Sequence, residues 1–211
     1  MRSISLLYTT ARPQVISKVI ERWFAEDPQE IDMIVVTDDP FHGDVAHPSV
    51  RFVVNSGRRD AVTGWNLAAQ LSAGDILIQV SDDLFPPLKW AETIRSMIDQ
   101  LVEIRSDVVL NLLDERRDQR AVFHPILTRA AFDKLSYLYP PDFESMFSDN
   151  WFCAYHKKYS CYACSNEIFW HHRHRTTHEV EIDDVMLAHE SPERFEKGKE
   201  TFKKYIREHD L

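Results

Sequence analysis

A short apolar segment followed by two adjacent aspartates, residues 74–87, constrains this chain more than any other stretch. Residues 76–80 are mostly apolar and lie between a Gly-Asp turn and Pro86-Pro87, which predicts a short buried strand. Asp82 and Asp83 follow that strand directly, and open α/β sheets bind ligands at the carboxyl ends of their strands. Two adjacent carboxylates repel each other, so the pair favours a hard divalent cation such as Mg²⁺ or Mn²⁺. A solvated acidic turn is the alternative, since Asp and Pro are common in turns.

Strands and helices alternate through the first half of the sequence. The hydrophobic patterns predict strands at 4–8, 31–36, 50–54, 76–80 and 108–112, and helices at 14–25, 61–72 and 87–104. This alternation is typical of a doubly wound α/β fold, with a mostly parallel, Rossmann-like sheet flanked by helices. A second acidic pair, Asp38-Asp39, follows the second strand, so we expect both acidic strand ends to lie near each other at the ligand edge.

The second half of the sequence is less regular. The patterns predict a strand at 121–127, a short helix from 128 to 135, a helix from 148 to 157, an extended segment at 159–170 and a final helix from 191. Neither an internal repeat nor a linker divides the chain, so residues 1–211 are predicted to form a single domain.

Charge and composition argue against several classes of protein. The formal net charge of −9 with neutral histidines argues against a general nucleic-acid-binding protein. The apolar run near Met1 is too short for a signal peptide, and no stretch approaches the length of a membrane span. The three cysteines, an odd number, give no indication of a disulfide framework. These features predict a cytoplasmic protein.

Two pairs of potential zinc ligands form a separate signal in the second half. Cys153 and His156 are followed, after four intervening residues, by Cys161 and Cys164. Paired thiolate and imidazole ligands of this kind occur in tetrahedral zinc sites. The interval is short for a zinc loop and the neighbouring residues are apolar, so buried free cysteines are the alternative.

Five segments, in their order and spacing, resemble the family 2 type glycosyltransferases of the GT-A fold. The segments are Ser-Ile-Ser-Leu-Leu-Tyr-Thr-Thr-Ala-Arg-Pro at 3–13, Ile-Val-Val-Thr-Asp-Asp at 34–39, Asn-Leu-Ala-Ala at 66–69, Ala-Gly-Asp at 73–75 and Ser-Asp-Asp at 81–83. The resemblance covers residues 3–90 well and residues 137–175 loosely. It implies a nucleotide-sugar-binding half at 1–112, and an acceptor-side half with the C-terminal helix at 113–211. It also implies a nucleoside-diphosphate sugar as donor, with UDP favoured over GDP, and an acceptor hydroxyl.

The resemblance implies a role for individual residues. Those implied to bind the nucleotide are Thr9, Arg12, Asp38, Asp39, Arg58, Asn66 and Asp82. Asp83 is implied to bind the Mn²⁺ or Mg²⁺ that bridges the donor's phosphates, and His172 and His174 to complete that site. His172 and His174 alternate, so on an extended segment both side chains point the same way. The alternative is a basic surface cluster in which Arg173 and Arg175 contact phosphate.

The acceptor-side segment at 140–150 resembles the part of the family that carries the catalytic base. Asp149 is the implied base, with Glu144 and Asp142 as alternatives, because a carboxylate must take the proton of the attacking hydroxyl. The resemblance also implies that a single base attacks from the far face of the sugar, with inversion at the anomeric carbon. Apart from the resemblance, Asp149 is also a favourable acidic residue for the first turn of a helix.

Two other functions are compatible with the same residues. A nucleotidyltransferase also uses a doubly wound sheet and metal-binding acids, but its glycine-rich phosphate loop is missing from Thr-Thr-Ala-Arg-Pro at 9–13. A non-catalytic interaction module that binds a nucleotide or zinc is the second alternative. No segment of the sequence identifies the acceptor.

Overall fold

The computed structural model of the chain describes residues 1–26, 28–43, 45, 47–114, 122–173, 183–189 and 191–211. Within them the strands are β1 (Ile4–Thr10), β2 (Ile31–Thr37), β3 (Val50–Val54), β4 (Ile76–Val80), β5 (Leu84–Phe85), β6 (Val108–Asp114), β7 (Ile126–Thr128) and β8 (Cys161–His172). The helices are α1 (Ile16–Phe24), preceded by a 3₁₀ turn at Pro13–Val15, α2 (Ala61–Leu71), α3 (Trp90–Val102), α4 (Arg129–Asp133), α5 (Ser148–Tyr159), α6 (Asp184–His189) and α7 (Pro192–Glu208). In the described part of the chain, none of the helices combines the length and apolar character that crossing a bilayer requires.

The strands form one sheet in the order β3-β2-β1-β4-β7-β6-β8-β5. Strands β3, β2, β1 and β4 are mutually parallel, and β6 is parallel to β8. β7 runs antiparallel between β4 and β6, and β5 runs antiparallel to β8 at one edge. β1 to β4, β6 and β8 therefore point the same way, which confirms the predicted mostly parallel, Rossmann-like sheet. Their carboxyl ends lie along one side of the molecule.

Apolar side chains cover both faces of this sheet. On one face, Leu6 and Tyr8 of β1 pack in a cluster with α1 and α3. There the rings of Trp23 and Trp90 meet edge to face with centroids 5.0 Å apart. On the other face, Leu7 packs in a second cluster with α2 and α5. Because the sheet is buried on both faces, polar side chains that bind ligands must gather at the strand ends.

Most of the predicted elements are present, but some boundaries differ. The helix predicted from Pro87 begins at Trp90, because Lys89 adopts a left-handed conformation with φ 57°. The backbone N–H of Lys89 donates to the Glu26 carboxylate at 2.7 Å, which fixes this turn. The strand predicted at 121–127 starts only at Ile126, and residue 121 lies outside the described residues. The sequence patterns do not predict β5 or α6, because each is too short to show a period.

Candidate active site

Asp82 is held in one position by the end of the neighbouring strand β1. Its Oδ1 atom accepts a hydrogen bond from the Tyr8 hydroxyl at 2.5 Å. Its Oδ2 atom accepts from the Thr10 hydroxyl at 3.1 Å and from Nη1 of Arg12 at 2.9 Å. β1 and β4 are parallel neighbours, so side chains from the end of β1 reach the residues that follow β4. Both carboxylate oxygens of Asp82 are therefore hydrogen-bonded within the protein.

Arg12 connects Asp82 to the C-terminal part of the chain. Its Nε and Nη2 atoms donate to the Asp183 carboxylate at 2.6 and 2.8 Å. The hydrogen bond to Asp183, followed by that to Asp82, outweighs burial and raises the pKa of Arg12. The same hydrogen bond lowers the pKa of Asp183 to about 2. Burial, and then the charge of Asp82, raise the pKa of the Tyr8 hydroxyl well above its usual value, so Tyr8 stays a donor.

Asp83 lies beside His172 because β5 pairs with β8, which places Leu84 opposite His172. The Nε2 atom of His172 is 3.2 Å from Oδ2 of Asp83, and the Ser81 hydroxyl donates to Oδ1 at 2.6 Å. Burial disfavours the charged form of Asp83. The two histidines near it, His172 and His124, and the Ser81 hydroxyl outweigh this effect, and the pKa of Asp83 lies below its usual range. Asp83 is therefore ionised at neutral pH.

Asp83 and His172 form a donor pair that fits a divalent cation. Two neighbouring ligands of an octahedral ion, each with a bond of about 2.1 Å, lie about 3.0 Å apart. The carboxylate oxygen and the imidazole nitrogen are 3.2 Å apart. Among the residues that the structure describes, no group of three or more His, Cys, Asp or Glu side chains could hold a metal ion alone. A cation here would need phosphate oxygens or water as further ligands. His174, the second predicted histidine, lies outside the described residues.

A cleft of about 690 Å³ opens over the carboxyl ends of the parallel strands. The residues predicted to bind nucleotide or metal that line this cleft are Thr9, Arg12, Asp38, Asp82 and Asp83. Both acidic strand ends therefore border one cleft, as their positions in the sequence predict. Asp39 does not line it. The Asp39 side chain is 74% exposed and pairs with Arg59 at 2.8 Å.

Besides Arg12, three further arginines line the same cleft, and only one of these three was named from the sequence. Arg173, which the sequence offered as a phosphate contact, has its guanidinium 4.4 Å from the centre of the Phe85 ring. Arg59 and Arg194 were not predicted. Arg59 is adjacent to the predicted Arg58, and the sequence alone does not indicate which of the two faces the cleft. No sequence pattern singles out Arg194 among the charged residues of α7.

Arg58 and Asn66, which the resemblance places at the nucleotide, have other partners. Arg58 donates to backbone carbonyls within residues 141–143, in one case at 2.8 Å. Asn66 is buried, and its amide makes three hydrogen bonds of 2.7–2.9 Å with the backbone of residues 138–139. These bonds attach α2 to the loop before α5. Neither side chain lines the cleft, so the structure gives both residues a part in the fold.

A smaller cleft of about 370 Å³ adjoins the larger one. The residues that line both are Trp65, Ser81, Asp83, Ser145 and Met146. Asp149, the predicted base, lies in the first turn of α5 and lines the smaller cleft. His124 also lines it, with its ring edge to face against that of His172 at a centroid distance of 4.5 Å. No sequence pattern indicated His124. Asp83 therefore lies between the larger cleft and the cleft that holds Asp149.

The two alternative bases are paired with cations of α7. Glu144 forms ion pairs with Lys197 and, at 3.6 Å, with Arg194. The hydrogen bond from Lys197 lowers the pKa of Glu144. Asp142 pairs with Lys204 at 2.7 Å, and this hydrogen bond lowers its pKa as well. A carboxylate with a lowered pKa is a weaker base, so the surroundings of Glu144 and Asp142 favour Asp149 for that role.

The four potential zinc ligands do not form a metal group. Cys153 and His156 lie in α5 and are buried, whereas Cys161 and Cys164 lie in β8. His156 Nδ1 is 2.7 Å from the Ser160 hydroxyl. All four residues are described, and the described residues contain no group of three or more ligands that could hold a metal ion. The three cysteines form no disulfide, and of the buried free cysteines that the alternative interpretation predicted only Cys153 is buried, whereas Cys164 is exposed.

No known family model matches the sequence, and a search of curated proteins gives no match. Solved structures, in contrast, share the fold. The mannosyltransferase PcManGT from Pyrobaculum calidifontis, in complex with GDP-Man and Mn²⁺, superposes with a TM-score of 0.63 at 12% identity, over 94% of this chain and 73% of that one. S. aureus TarS in complex with UDP-GlcNAc superposes with a TM-score of 0.67 at 14% identity, over 97% of this chain and 66% of that one.

A second TarS structure gives a TM-score of 0.60 at 13% identity, over 80% of this chain and 59% of TarS. This chain therefore spans about three quarters of the mannosyltransferase and less than two thirds of the TarS structures. At these identities the similarity establishes the fold. The chain has the nucleotide-diphospho-sugar transferase (GT-A) fold that the sequence predicts.

Proposed function

We propose that this chain is a glycosyltransferase that moves a sugar from a nucleoside-diphosphate sugar to an acceptor hydroxyl. The observation that carries the proposal is the position of Asp83, ionised and beside His172, between two adjoining clefts. The larger cleft has the volume and the charged side chains for a nucleotide, and the smaller one holds Asp149. Proteins of the same fold in complexes with GDP-Man and UDP-GlcNAc support this proposal.

The donor nucleotide is proposed to occupy the larger cleft. Thr9 and Asp38 lie at the ends of neighbouring parallel strands and line this cleft, and they are proposed to contact the nucleobase and ribose. Arg59 and Arg173 supply positive charge for the phosphates. The resemblance favours UDP over GDP, whereas solved structures of this fold contain one donor of each kind. The nucleobase of the donor is therefore the first property to determine.

Asp83 and His172 are the residues that would hold Mn²⁺ or Mg²⁺. When bound, such an ion offsets the negative charge that develops on the departing nucleoside diphosphate. The protein contributes the ionised state of Asp83, which His172 and the Ser81 hydroxyl support. It also fixes Asp82 through Tyr8, so that the turn carrying both aspartates is already ordered.

The acceptor is proposed to bind in the smaller cleft, where Asp149 takes the proton of its hydroxyl. The hydroxyl oxygen attacks the anomeric carbon while the bond from that carbon to the diphosphate oxygen breaks. The electron pair of the broken bond leaves with the nucleoside diphosphate, and the proton stays on Asp149. Because one base acts from the acceptor side, the product glycoside has the inverted configuration. A positioned general base contributes about 10²- to 10⁴-fold to the rate.

Thermal unfolding with a panel of nucleotides tests the proposal. UDP, GDP, CDP, ADP and TDP are each added with and without Mn²⁺, and the midpoint temperature Tm is measured. Because a ligand that binds the native state stabilises it by mass action, we expect one diphosphate to raise Tm selectively and only with Mn²⁺. If no diphosphate changes Tm, the larger cleft is not a nucleotide site and the proposal fails.

Donor turnover is the second stage of the test. Sugar nucleotides carrying the selected base are incubated with the protein, and release of the nucleoside diphosphate is followed. We expect slow hydrolysis of at least one sugar nucleotide, which releases the nucleoside diphosphate, and faster release of the diphosphate once an acceptor is present. Binding of the diphosphate without release from any sugar nucleotide would favour the non-catalytic binding module instead.

A further inference from the structure

We propose that the smaller cleft selects an uncharged, hydroxylated ring, such as a terminal hexose, as the acceptor, and that it discriminates against acceptors carrying carboxylate or phosphate groups. The inference rests on the proposed glycosyltransferase function and concerns its acceptor. Three properties of the cleft carry it, namely its aromatic wall, its charges and its size.

Aromatic side chains supply much of the wall of this cleft. Trp65, Phe123, Phe147 and Phe195 all line it. The indole Nε1 of Trp65 already donates to the Val80 carbonyl at 3.3 Å, so the rest of the indole is available for apolar contact. Phe147 and Phe195 meet edge to face with centroids 5.0 Å apart, which holds both rings in place. Rings that present apolar faces bind the C–H faces of a hexose and gain little from a linear, highly charged ligand.

The smaller cleft has fewer cationic side chains than the larger one. Asp149 lines it, together with Asp83, which is the proposed cation ligand, and the imidazoles of His124 and His172. Among the described residues that line it there is no lysine or arginine. The larger cleft, in contrast, has four arginines among its lining residues. An anionic group on the acceptor would therefore be placed near the Asp149 carboxylate, with no arginine or lysine among the described lining residues to bind it, in a partly desolvated site where like charges repel more strongly than in water.

The polar groups deepest in the smaller cleft are already hydrogen-bonded to each other. The Tyr139 hydroxyl donates to Oε1 of Gln79, and Nε2 of Gln79 donates to the Phe123 carbonyl at 3.3 Å. Both side chains are at most 2% exposed, so they form a fixed floor. Asp149 and Asn150, in the first turn of α5, are the polar side chains placed to meet the hydroxyls of a ring. A volume of about 370 Å³ is near the lower limit of small-molecule sites, which favours one ring over an extended chain.

Matched pairs of acceptors test this inference. p-Nitrophenyl glucoside, galactoside and mannoside, in both anomeric forms, are each compared with the corresponding uronide, in which a carboxylate replaces the C6 hydroxymethyl group. The uncharged uronamide, which lacks the same hydroxyl, isolates the effect of the charge. The readout is the acceptor-dependent kcat/KM for nucleoside diphosphate release from the selected donor. We expect at least one neutral glycoside, and its uronamide, to exceed the uronide by tenfold or more. A uronide that performs as well as its neutral partner, or a panel in which no neutral glycoside accelerates release, would overturn the inference.

Two substitutions make the test specific to this cleft. Asn150→Lys adds a cation to the wall, and we expect it to reduce the preference for the neutral glycoside by about tenfold. Gln100→Lys adds the same charge to the exposed surface of α3 and serves as the matched control, with the preference unchanged. If Asn150→Lys leaves the preference as it is, the charge of this cleft does not set acceptor choice.

The nucleotide panel separates failure of this inference from failure of the proposed function. If no nucleoside diphosphate shifts the Tm of the unsubstituted protein in the presence of Mn²⁺, the glycosyltransferase proposal itself fails. If the nucleotide shifts Tm and the donor is hydrolysed, but charged acceptors are preferred, the glycosyltransferase proposal stands. Only the inference about the acceptor then fails.

Discussion

Asp82 accepts hydrogen bonds from Tyr8, Thr10 and Arg12, whereas Asp83 meets Ser81 and the imidazole of His172. The two carboxylates are adjacent in sequence, and the backbone turn after β4 points them to different surroundings. The carboxylate oxygens of Asp82 accept hydrogen bonds from other side chains, whereas the carboxylate of Asp83 lies where the two clefts adjoin. We infer that Asp82 mainly orders the turn, and that Asp83 mainly binds the ligand.

Substituting the two aspartates separately should therefore give different results. Asp83→Asn is expected to abolish the Mn²⁺-dependent nucleotide shift while lowering the free energy of unfolding by no more than about 1 kcal/mol. Asp82→Ala leaves the Tyr8 hydroxyl without its acceptor and takes from Arg12 the Nη1 hydrogen bond, while Arg12 keeps its bonds to Asp183. This change is expected to cost about 1–3 kcal/mol. Urea unfolding gives the stability, and the nucleotide Tm shift gives binding. Equal effects of the two variants on both quantities would contradict this division of roles.

The assignment of Asp149 as the base predicts a variant that binds the donor and does not transfer. Asp149→Asn keeps the size of the side chain and removes its basicity, so we expect transfer to fall by about 10²- to 10⁴-fold with an unchanged nucleotide Tm shift. Glu144→Gln is the matched control, because Glu144 is paired with Lys197. It should retain transfer. Loss of transfer in the control and retention in Asp149→Asn would move the base to Glu144.

His156 gives a prediction about pH and stability. Burial, followed by the charge of Lys134, lowers the pKa of His156 to about 3. The usual histidine pKa is about 6.5, so between these values the unfolded chain binds a proton that the folded chain does not. Unfolding then becomes easier as the pH falls below about 6.5, and the contribution is complete above that pH. The slope is at most about 1.4 kcal/mol per pH unit.

His156→Gln removes this titration and keeps a neutral polar side chain next to Ser160. We expect the variant to be less stable than the unsubstituted protein at pH 7.5, with the difference in Tm shrinking as the pH approaches 5. All other titrating groups are common to the two proteins and cancel in the comparison. Parallel curves of Tm against pH would show that His156 does not titrate as its burial requires.

At the scale of elements, the strands that carry the donor cleft were predictable because each is an apolar run ended by polar residues. β2 ends just before Asp38, and β4 just before Ser81. Because β2 and β4 run in the same direction, their carboxyl ends lie at one edge of the sheet. The two acidic pairs could therefore be predicted to lie near each other, although they are far apart in sequence. The antiparallel β7 was not predictable in this detail. It has three residues, and its position between β4 and β6 depends on pairing between distant segments.

The same limit applies to the site residues. Arg194 reaches the larger cleft only because α7 docks on the loop before α5, and no local pattern carries that information. Asn66 shows the opposite case, in which a polar residue in a helix looks available and is used by the backbone of residues 138–139. The positions of the strand-end carboxylates follow from the local sequence and the direction of the strands. The positions of Arg194 and the contacts of Asn66 depend on how distant segments pack against each other.

The docking of α7 depends on a close approach at Gly198. A Cβ atom added there would lie 2.5 Å from the Met146 carbonyl oxygen, and Met146 lines both clefts. Alanine normally stabilises an α-helix by about 1 kcal/mol relative to glycine. Overpacking against backbone costs about 1–3 kcal/mol, so we expect Gly198→Ala to lower Tm slightly and to shift the loop around Met146. Acceptor KM should rise with the nucleotide shift nearly unchanged.

Lys199→Ala, one position further along α7, is the control for Gly198→Ala. Its side chain forms an exposed ion pair with Glu196 of the same helix at 3.4 Å. This control is expected to leave the free energy of unfolding within about 0.5 kcal/mol of that of the unsubstituted protein, and acceptor KM unchanged. A clear rise in Tm for Gly198→Ala would show that space exists at this contact, and the proposed support of the acceptor loop by α7 would then be wrong.

At the scale of the whole molecule, the two halves of the sequence meet at the wall shared by the two clefts. Trp65, Ser81 and Asp83 come from the first half, and Ser145 and Met146 from the second. The Arg12–Asp183 pair, which also lines the larger cleft, joins the halves a second time. The division into a donor half and an acceptor half stays a prediction, and these contacts indicate that both halves contribute to one site.

The metal content of the molecule follows from the same arrangement. Two apolar clusters, one on each face of the sheet, hold the fold together, and the described residues contain no group of three or more His, Cys, Asp or Glu side chains that could hold a metal ion. We therefore expect EDTA to leave the Tm of the ligand-free protein unchanged. With the preferred diphosphate at about 100 times its Kd and Mn²⁺ present, binding adds about 2.7 kcal/mol, which corresponds to a rise in Tm of about 5–10 °C. EDTA should remove this rise.

Each departure from that result has a structural meaning. A fall in Tm with EDTA alone would reveal a structural metal, and zinc analysis of Cys153→Ser against the unsubstituted protein would then show whether the cysteines hold it. If the nucleotide still raises Tm in EDTA, arginines neutralise the phosphates without a metal ion, and Arg59 and Arg173, which line the larger cleft, are the first candidates. Substituting each arginine by glutamine in EDTA would then identify which one does so, because only a phosphate contact would lose the remaining shift.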